Sequence, residues 1–210
     1  MNRLLLAMIL VVAAAQNIMA EVSTRVEGTY RYGGRDRDRG IVYYMDEDKT
    51  MSLIILESPW SNAGDVFVFD AELLDDINQS LTELKHKFLE WSKVAEENDV
   101  LNYSKEVDIA FPEFGYIHNM GSRVIKGYHV TPKIEFIVKN TLPELVMRFE
   151  LYDSHPDKYI NIGKVNVNML FMFASDFNTL INALNPVKAE QAFKEIKGRI
   201  SNEELDDLFQ

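Results

Sequence analysis

Residues 66–98 read VFVFDAELLDDINQSLTELKHKFLEWSKVAEEN, and the spacing of apolar residues changes within this stretch. Its first four residues, Val66 to Phe69, are aromatic or β-branched, which is typical of a buried strand. From Asp70 onward, apolar residues recur every three or four positions, as they do on one face of an α-helix. The stretch therefore predicts a strand followed at once by a long helix, an order of elements typical of an α+β fold.

The long helix is predicted to begin at Asp70 and to end near Asn98. Asp70 is a favourable N-cap, and the acidic residues after it lie where the helix dipole stabilises negative charge. We expect the apolar stripe to cover the protein's own sheet, although a coiled coil or a partner-binding helix would have the same spacing. The stripe consists of Leu74, Ile77, Leu81, Leu84, Phe88, Trp91 and Ala95.

Short runs of alternating apolar residues lie before and after this helix, and turn residues separate them. Such runs predict antiparallel strands. We expect mostly antiparallel sheet of about 8–9 strands, in one sheet or two, covered by the long central helix. The runs occupy residues 26–32, 41–45, 51–56 and 66–69 before the helix, and 107–111, 124–130, 134–138, 145–151 and 160–173 after it, with a bend at Gly163.

Two shorter helices are predicted near the C-terminal end. Ser175 or Asp176 is expected to cap the first, whose apolar residues follow helical spacing as far as Asn185-Pro186. The second is expected to begin near Pro186 and to stop by Gly198, because glycine commonly follows a helix end. Residues 201–210 are predicted to form a short acidic turn.

The first twenty residues have the pattern of a cleavable secretory signal peptide. Arg3 precedes an apolar run from Leu4 to Ala15, and cleavage after Ala15 or after Ala20 would satisfy the small-residue rule. A membrane-spanning helix needs roughly 20 apolar residues, more than this run contains. We therefore expect an exported protein, periplasmic or extracellular, with no membrane span after cleavage.

Residues 21–200 have the length of a single α+β domain. Each half of this segment contains strands, then a Phe-x-Phe run, then a helix; the runs are residues 67–69 and 171–173. A duplicated unit, with halves 21–100 and 101–200, is one explanation of this regularity. A coincidence between two sheet-and-helix segments is the other.

Composition limits the chemistry that this protein can perform. The chain has no cysteine, which excludes disulfides, thiol catalysis and cysteine-ligated metals. The net charge of -11 is spread along the chain and opposes binding to nucleic acid. The four histidines are not spaced as metal ligands, and no known catalytic motif is present. The sequence therefore predicts no catalytic residue, no metal site and no cofactor.

The loop from Ser58 to Gly64 places Trp60 among small turn-forming residues. Aromatic residues that are exposed can hold sugars or peptide segments. Tyr43, Tyr44 and Tyr116 lie on predicted strands or loops that could share the surface of Trp60, and these four are the predicted binding residues. The alternative is that Trp60 folds back over an open end of the sheet.

These features favour a non-enzymatic exported module that binds an envelope polymer or a partner protein. Two alternatives remain open. An exported hydrolase that uses scattered carboxylates would hold two of them about 5–9 Å apart in a deep pocket. An assembly or inhibitor subunit would use the long helix or an open sheet edge.

Overall fold

The computed structural model describes residues 25–31, 38–46, 51–59, 65–120, 123–151 and 165–208. The predicted signal peptide, Trp60 and the predicted strand residues at 160–162 lie outside the described residues. The described residues form an α+β fold with two antiparallel sheets of six and four strands, which confirms the predicted class.

Ten strands make up the two sheets. The larger sheet contains, in spatial order, β1 (Arg25–Arg31), β2 (Asp38–Met45), β3 (Ser52–Glu57), β4 (Val66–Asp70), β6 (Phe114–Met120) and β7 (Arg123–Val130). The smaller sheet contains, in spatial order, β10 (Val165–Phe171), β9 (Leu142–Leu151), β8 (Lys133–Lys139) and β5 (Asn102–Glu106).

Within the described residues, three α-helices accompany the sheets: α1 (Leu74–Glu97), α2 (Ala174–Ala183) and α3 (Pro186–Leu208). The Asp70 carboxylate accepts a hydrogen bond from the backbone N–H of Glu72, so Asp70 caps the 3₁₀ turn Ala71–Leu73 that leads into α1. None of these helices combines the length and apolar composition of a membrane span in the part of the chain that is described.

Both sheets and all three helices contribute to one apolar core. Helix α1 packs against β9 and α2, whereas α3 packs against β1 and β2. The apolar stripe of α1 is buried as predicted, with Trp91 partly buried at its C-terminal end. Aromatic side chains join the layers: the ring centroids of Phe114 and Phe149 lie 5.4 Å apart, which connects the two sheets through β6 and β9.

The strand pattern differs from the prediction after α1. No strand forms at 107–111, although Val107 and Phe111 are buried in the core. Instead β5 precedes this segment and β6 follows it. Apolar alternation signals which side chains are buried, but it does not show whether the backbone joins a ladder.

The C-terminal helices also differ from the prediction. Helix α3 runs through Gly198 and continues to Leu208, so it is not a short helix followed by a turn. One glycine costs a helix about 1 kcal/mol, and the charged residues around Gly198 are good helix formers. In α2, Asp176 caps from inside the first turn, where its carboxylate accepts from the backbone N–H of Phe173 at 3.0 Å.

The two halves of the chain distribute their strands differently. Strands β1 to β4 are neighbours in the larger sheet, whereas β6 and β7 extend that sheet and the other late strands form the smaller one. The halves therefore differ in strand order.

Candidate functional site

A cleft of about 520 Å³ opens between the β1–β2 strand pair and helices α2 and α3. This volume lies in the range of small-molecule and peptide side-chain sites. The sheet wall includes Val26, Gly28, Thr29, Tyr30, Ile41 and Tyr43, and the helix wall includes Thr179, Asn182, Ala183, Lys188, Gln191 and Glu195.

Gly28 provides space in the sheet wall. Val26, Gly28 and Tyr30 alternate along β1, and Gly28 lies opposite Ile41 of β2 in the antiparallel register. A Cβ atom built at Gly28 would lie 3.2 Å from Cγ2 of Ile41, so a side chain at this position would require Ile41 to move by a few tenths of an ångström. The missing side chain keeps the cleft open above Ile41.

The helix wall is built by helical spacing. Thr179, Asn182 and Ala183 recur at i, i+3 and i+4 on α2, and residues 188, 191, 192 and 195 repeat that spacing on α3. Asn182 and Gln191 each supply an amide that can donate and accept hydrogen bonds, and Thr179 supplies a hydroxyl. The wall is therefore polar without being strongly charged.

A partly buried ion pair supports the sheet wall. The guanidinium Nη1 of Arg39 lies 2.9 Å from Oε1 of Glu57, and the backbone N–H of Gly40 donates to Oε2 of the same carboxylate. The Tyr30 hydroxyl donates to the backbone carbonyl of Glu57. Burial raises the pKa of Tyr30, and the Glu57 charge adds to this effect while the Arg39 charge opposes it. These contacts fix the ring of Tyr30 at the cleft.

The structure separates the predicted binding tyrosines. Tyr43 lines the cleft, but its ring is buried and packs edge-on against Phe193 with centroids 6.0 Å apart. Tyr44 is buried in a separate cluster with Leu53, Val68 and others. Tyr116 is 1% exposed in the main core. These three tyrosines do not form an exposed aromatic platform, and Trp60 lies outside the described residues.

A polar cluster lies at the base of the loop that contains Trp60. The backbone N–H of Ser58 donates to the Asp65 carbonyl at 2.6 Å, which closes the base of the loop between β3 and β4. The Asp65 carboxylate, itself buried, accepts from the Tyr116 hydroxyl at 3.0 Å and lies 2.7 Å from Nδ1 of His118. Ser58 is fully buried, so its hydroxyl is not placed to attack a substrate.

A second cleft, of about 460 Å³, is lined by several carboxylates. Asp70 and Glu72 lie there, and Asp70 is engaged as a helix cap. Glu190 lies 2.6 Å from Nζ of Lys194, and this contact lowers the pKa of Glu190. A general acid needs a raised pKa, so Glu190 is unsuited to that role.

Within the described ranges, no group of three or more His, Asp or Glu side chains is arranged to hold a metal ion. Comparison with protein-family models, with curated proteins and with solved structures finds no match for this chain. The chemistry of the cleft between β1 and the C-terminal helices is therefore the strongest guide to function.

Sequence reasoning missed most of this cleft. Gly28, Asn182 and Gln191 carry no local signal, because a polar residue next to an apolar stripe looks the same whether it faces solvent or a cleft. Tyr43 was predicted as a binding residue, and it does lie at the cleft, although as a buried part of the wall.

Proposed function

We propose that this protein is a non-enzymatic exported module that binds a short peptide segment of an envelope partner in the cleft between β1 and helices α2 and α3. The observation that carries the proposal is the pair of cleft-facing amides, Asn182 and Gln191, beside the space above Gly28. Side-chain amides can pair with both the N–H and the C=O of a peptide group.

The cleft favours a peptide over a sugar. Sugar sites commonly use an exposed aromatic face on which the ring of the saccharide can stack. The aromatic residues of this cleft, Tyr30 and Tyr43, are 9% and 8% exposed, so neither offers a broad exposed ring for stacking. The surrounding charges are Arg31, Lys188 and Glu195, which makes the cleft slightly basic on an acidic protein. An uncharged or mildly acidic peptide fits this balance.

The test starts with a library of short displayed peptides selected on the purified exported protein. The affinity of a selected, fluorescently labelled peptide is then measured by anisotropy. Asn182→Leu should weaken binding by about tenfold, because removing the hydrogen bonds of one side-chain amide costs about 1.4 kcal/mol. Gly28→Val should abolish binding by filling the cleft.

Asn178→Leu is the matched control, because Asn178 lies one turn away on the same helix and binds Nζ of Lys85 instead of facing the cleft. The affinity of the Asn178→Leu variant for the peptide should equal that of the wild type. Failure to select any peptide, or an equal loss of peptide affinity in the Asn178→Leu and Asn182→Leu variants, would overturn the proposal. Binding of oligosaccharides that Gly28→Val abolishes would overturn the peptide assignment.

A further inference from the structure

Strand β5 forms an outer edge of the smaller sheet and is open to solvent along its whole length. It pairs with β8 on one side, and all five of its residues, Asn102 to Glu106, are exposed. Among the described residues, no strand pairs with its other side. An open strand edge is a template for another strand.

Two backbone hydrogen bonds show which groups of β5 point to the open side. The N–H of Val107 donates to the Ile134 carbonyl at 2.8 Å, and the Leu101 carbonyl accepts from the N–H of Thr141 at 3.2 Å. Backbone groups alternate in direction along a strand, so the backbone N–H and C=O groups of Tyr103 and Lys105 also point toward β8. The N–H and C=O groups of Asn102, Ser104 and Glu106 therefore point outward.

This edge lacks two of the features that block strand addition. Edges are commonly protected by proline, by a bulge, by short length or by charged side chains, lysine above all. β5 contains no proline, and its register with β8 is unbroken. Its one lysine, Lys105, holds its ammonium 4.7 Å from the centroid of the Trp91 ring on α1. The lysine is therefore turned toward the helix and away from the open edge.

We propose that two copies of this chain pair through β5, antiparallel, about a two-fold axis that passes through Ser104. Each of the outward residues then has a partner: Ser104 pairs with Ser104 of the second copy, and Asn102 pairs with Glu106. A hydrogen-bonded antiparallel pair exchanges two bonds, so these three pairs give about six backbone hydrogen bonds. Such an interface is isologous and closes at two subunits.

The side chains agree with this register. Tyr103 lies opposite Lys105 of the second copy, and Asn102 lies opposite Glu106, so no like charges face each other. A shift of the second copy by one pair in either direction leaves only two hydrogen-bonded pairs. In one of these shifts Lys105 would face Lys105, which adds repulsion. The register centred on Ser104 is therefore the one that the sequence of β5 favours.

Apolar side chains lie at the same edge. Leu101 directly precedes β5 and Tyr103 lies within it, and both side chains are exposed. Burial of these groups beside the paired strands would add to the backbone hydrogen bonds. The edge is short, so we expect a reversible dimer with a dissociation constant in the micromolar range.

Sedimentation velocity over a range of protein concentrations tests the dimer. The wild-type protein should change from monomer to dimer as its concentration rises. Ser104→Pro should remain monomeric at all concentrations, because proline removes the outward N–H at the axis without removing a bond to β8. Ser104→Ala keeps that N–H and should dimerise as the wild type does. Circular dichroism should be unchanged in both variants.

Cysteine pairs test the register, because the natural chain contains no cysteine. An oxidised mixture of Tyr103→Cys and Lys105→Cys chains should form the mixed disulfide-linked dimer, since non-hydrogen-bonded partners lie about 4.5 Å apart. Either variant alone should form much less disulfide-linked dimer. A wild type that stays monomeric to about 1 mM, or dimers that Ser104→Pro leaves intact, would overturn the proposal.

Discussion

Nδ1 of His118 lies 2.7 Å from Oδ2 of Asp65, where β6 passes the start of β4. The same carboxylate oxygen accepts the hydroxyl hydrogen of Tyr116 at 3.0 Å. The Asp65 side chain is 3% exposed, so this carboxylate has exchanged water for protein donors. Because Asp65 also closes the β3–β4 loop through its backbone carbonyl, the cluster joins that loop to β6.

Asp65→Ala should lower the free energy of unfolding by about 1–3 kcal/mol, as measured by urea denaturation. The change removes an acceptor that Tyr116 and His118 share, although it also removes the cost of burying a carboxylate. Asp108→Ala is the control, because Asp108 is exposed, and it should change stability by less than about 0.5 kcal/mol. Equal stability of the two variants would contradict a structural role for the Asp65 cluster.

Buried tyrosines should make the protein sensitive to high pH. Burial raises the pKa of Tyr30, Tyr43 and Tyr116 above the ordinary value of about 10, and the Asp65 charge contributes further at Tyr116. The folded state therefore favours the neutral phenol. This contribution is complete below pH 10 and is lost as the pH rises above 10, because the unfolded chain then ionises first.

Urea denaturation at a series of alkaline pH values should show stability that falls once the pH exceeds about 10. Tyr116→Phe should cost about 1 kcal/mol at neutral pH, because it loses the hydrogen bond to Asp65, and should then show a shallower alkaline decline. An identical decline in Tyr116→Phe and the wild type would show that Tyr116 does not contribute.

The sequence predicted the elements that show local periodicity and missed two strands, β5 and β6, whose positions come from long-range pairing. The apolar stripe of α1, from Leu74 to Ala95, was predicted correctly because helical spacing is a local pattern. β6 was missed because Gly115, His118 and Asn119 interrupt its apolar pattern, and its place in the sheet comes from pairing with β4. The placement of Asp65 beside His118 follows from that pairing, so it had no local signal.

The candidate binding residues show the same contrast between what local sequence predicts and what long-range contacts decide. Tyrosine is amphipathic and occurs both in cores and at contact surfaces, so composition alone could not place Tyr43, Tyr44 or Tyr116. The structure buries all three, on both faces of the larger sheet. The cleft itself depends on how α3 approaches β1, a contact between residues far apart in the chain.

A strained turn joins β8 to β9. Asn140 and Thr141 both have positive φ, at 50° and 69°, and they form a two-residue hairpin between Lys139 and Leu142. Asparagine tolerates this conformation, but threonine is β-branched and glycine is preferred at its position. Thr141→Gly should therefore raise the free energy of unfolding by about 1 kcal/mol.

Thermal or urea denaturation measures this gain. Thr141→Ala removes the branch but keeps Cβ, so it should recover only part of the stabilisation. A loss of stability in Thr141→Gly would mean that contacts of the threonine side chain outweigh the strain of its backbone.

Gly198 tests the length of helix α3, because the sequence predicts that this helix ends by Gly198. Gly198 is exposed inside the helix, and a Cβ atom built there meets nothing within 4 Å. Gly198→Ala should therefore raise the free energy of unfolding by about 1 kcal/mol and leave the helical circular dichroism at least as strong. Gly127→Ala is the opposite control, because its Cβ would lie 2.4 Å from Cδ2 of Leu151. That clash should cost about 1–3 kcal/mol. If Gly198→Ala destabilised the protein or reduced its helicity, Gly198 would be acting as a helix end.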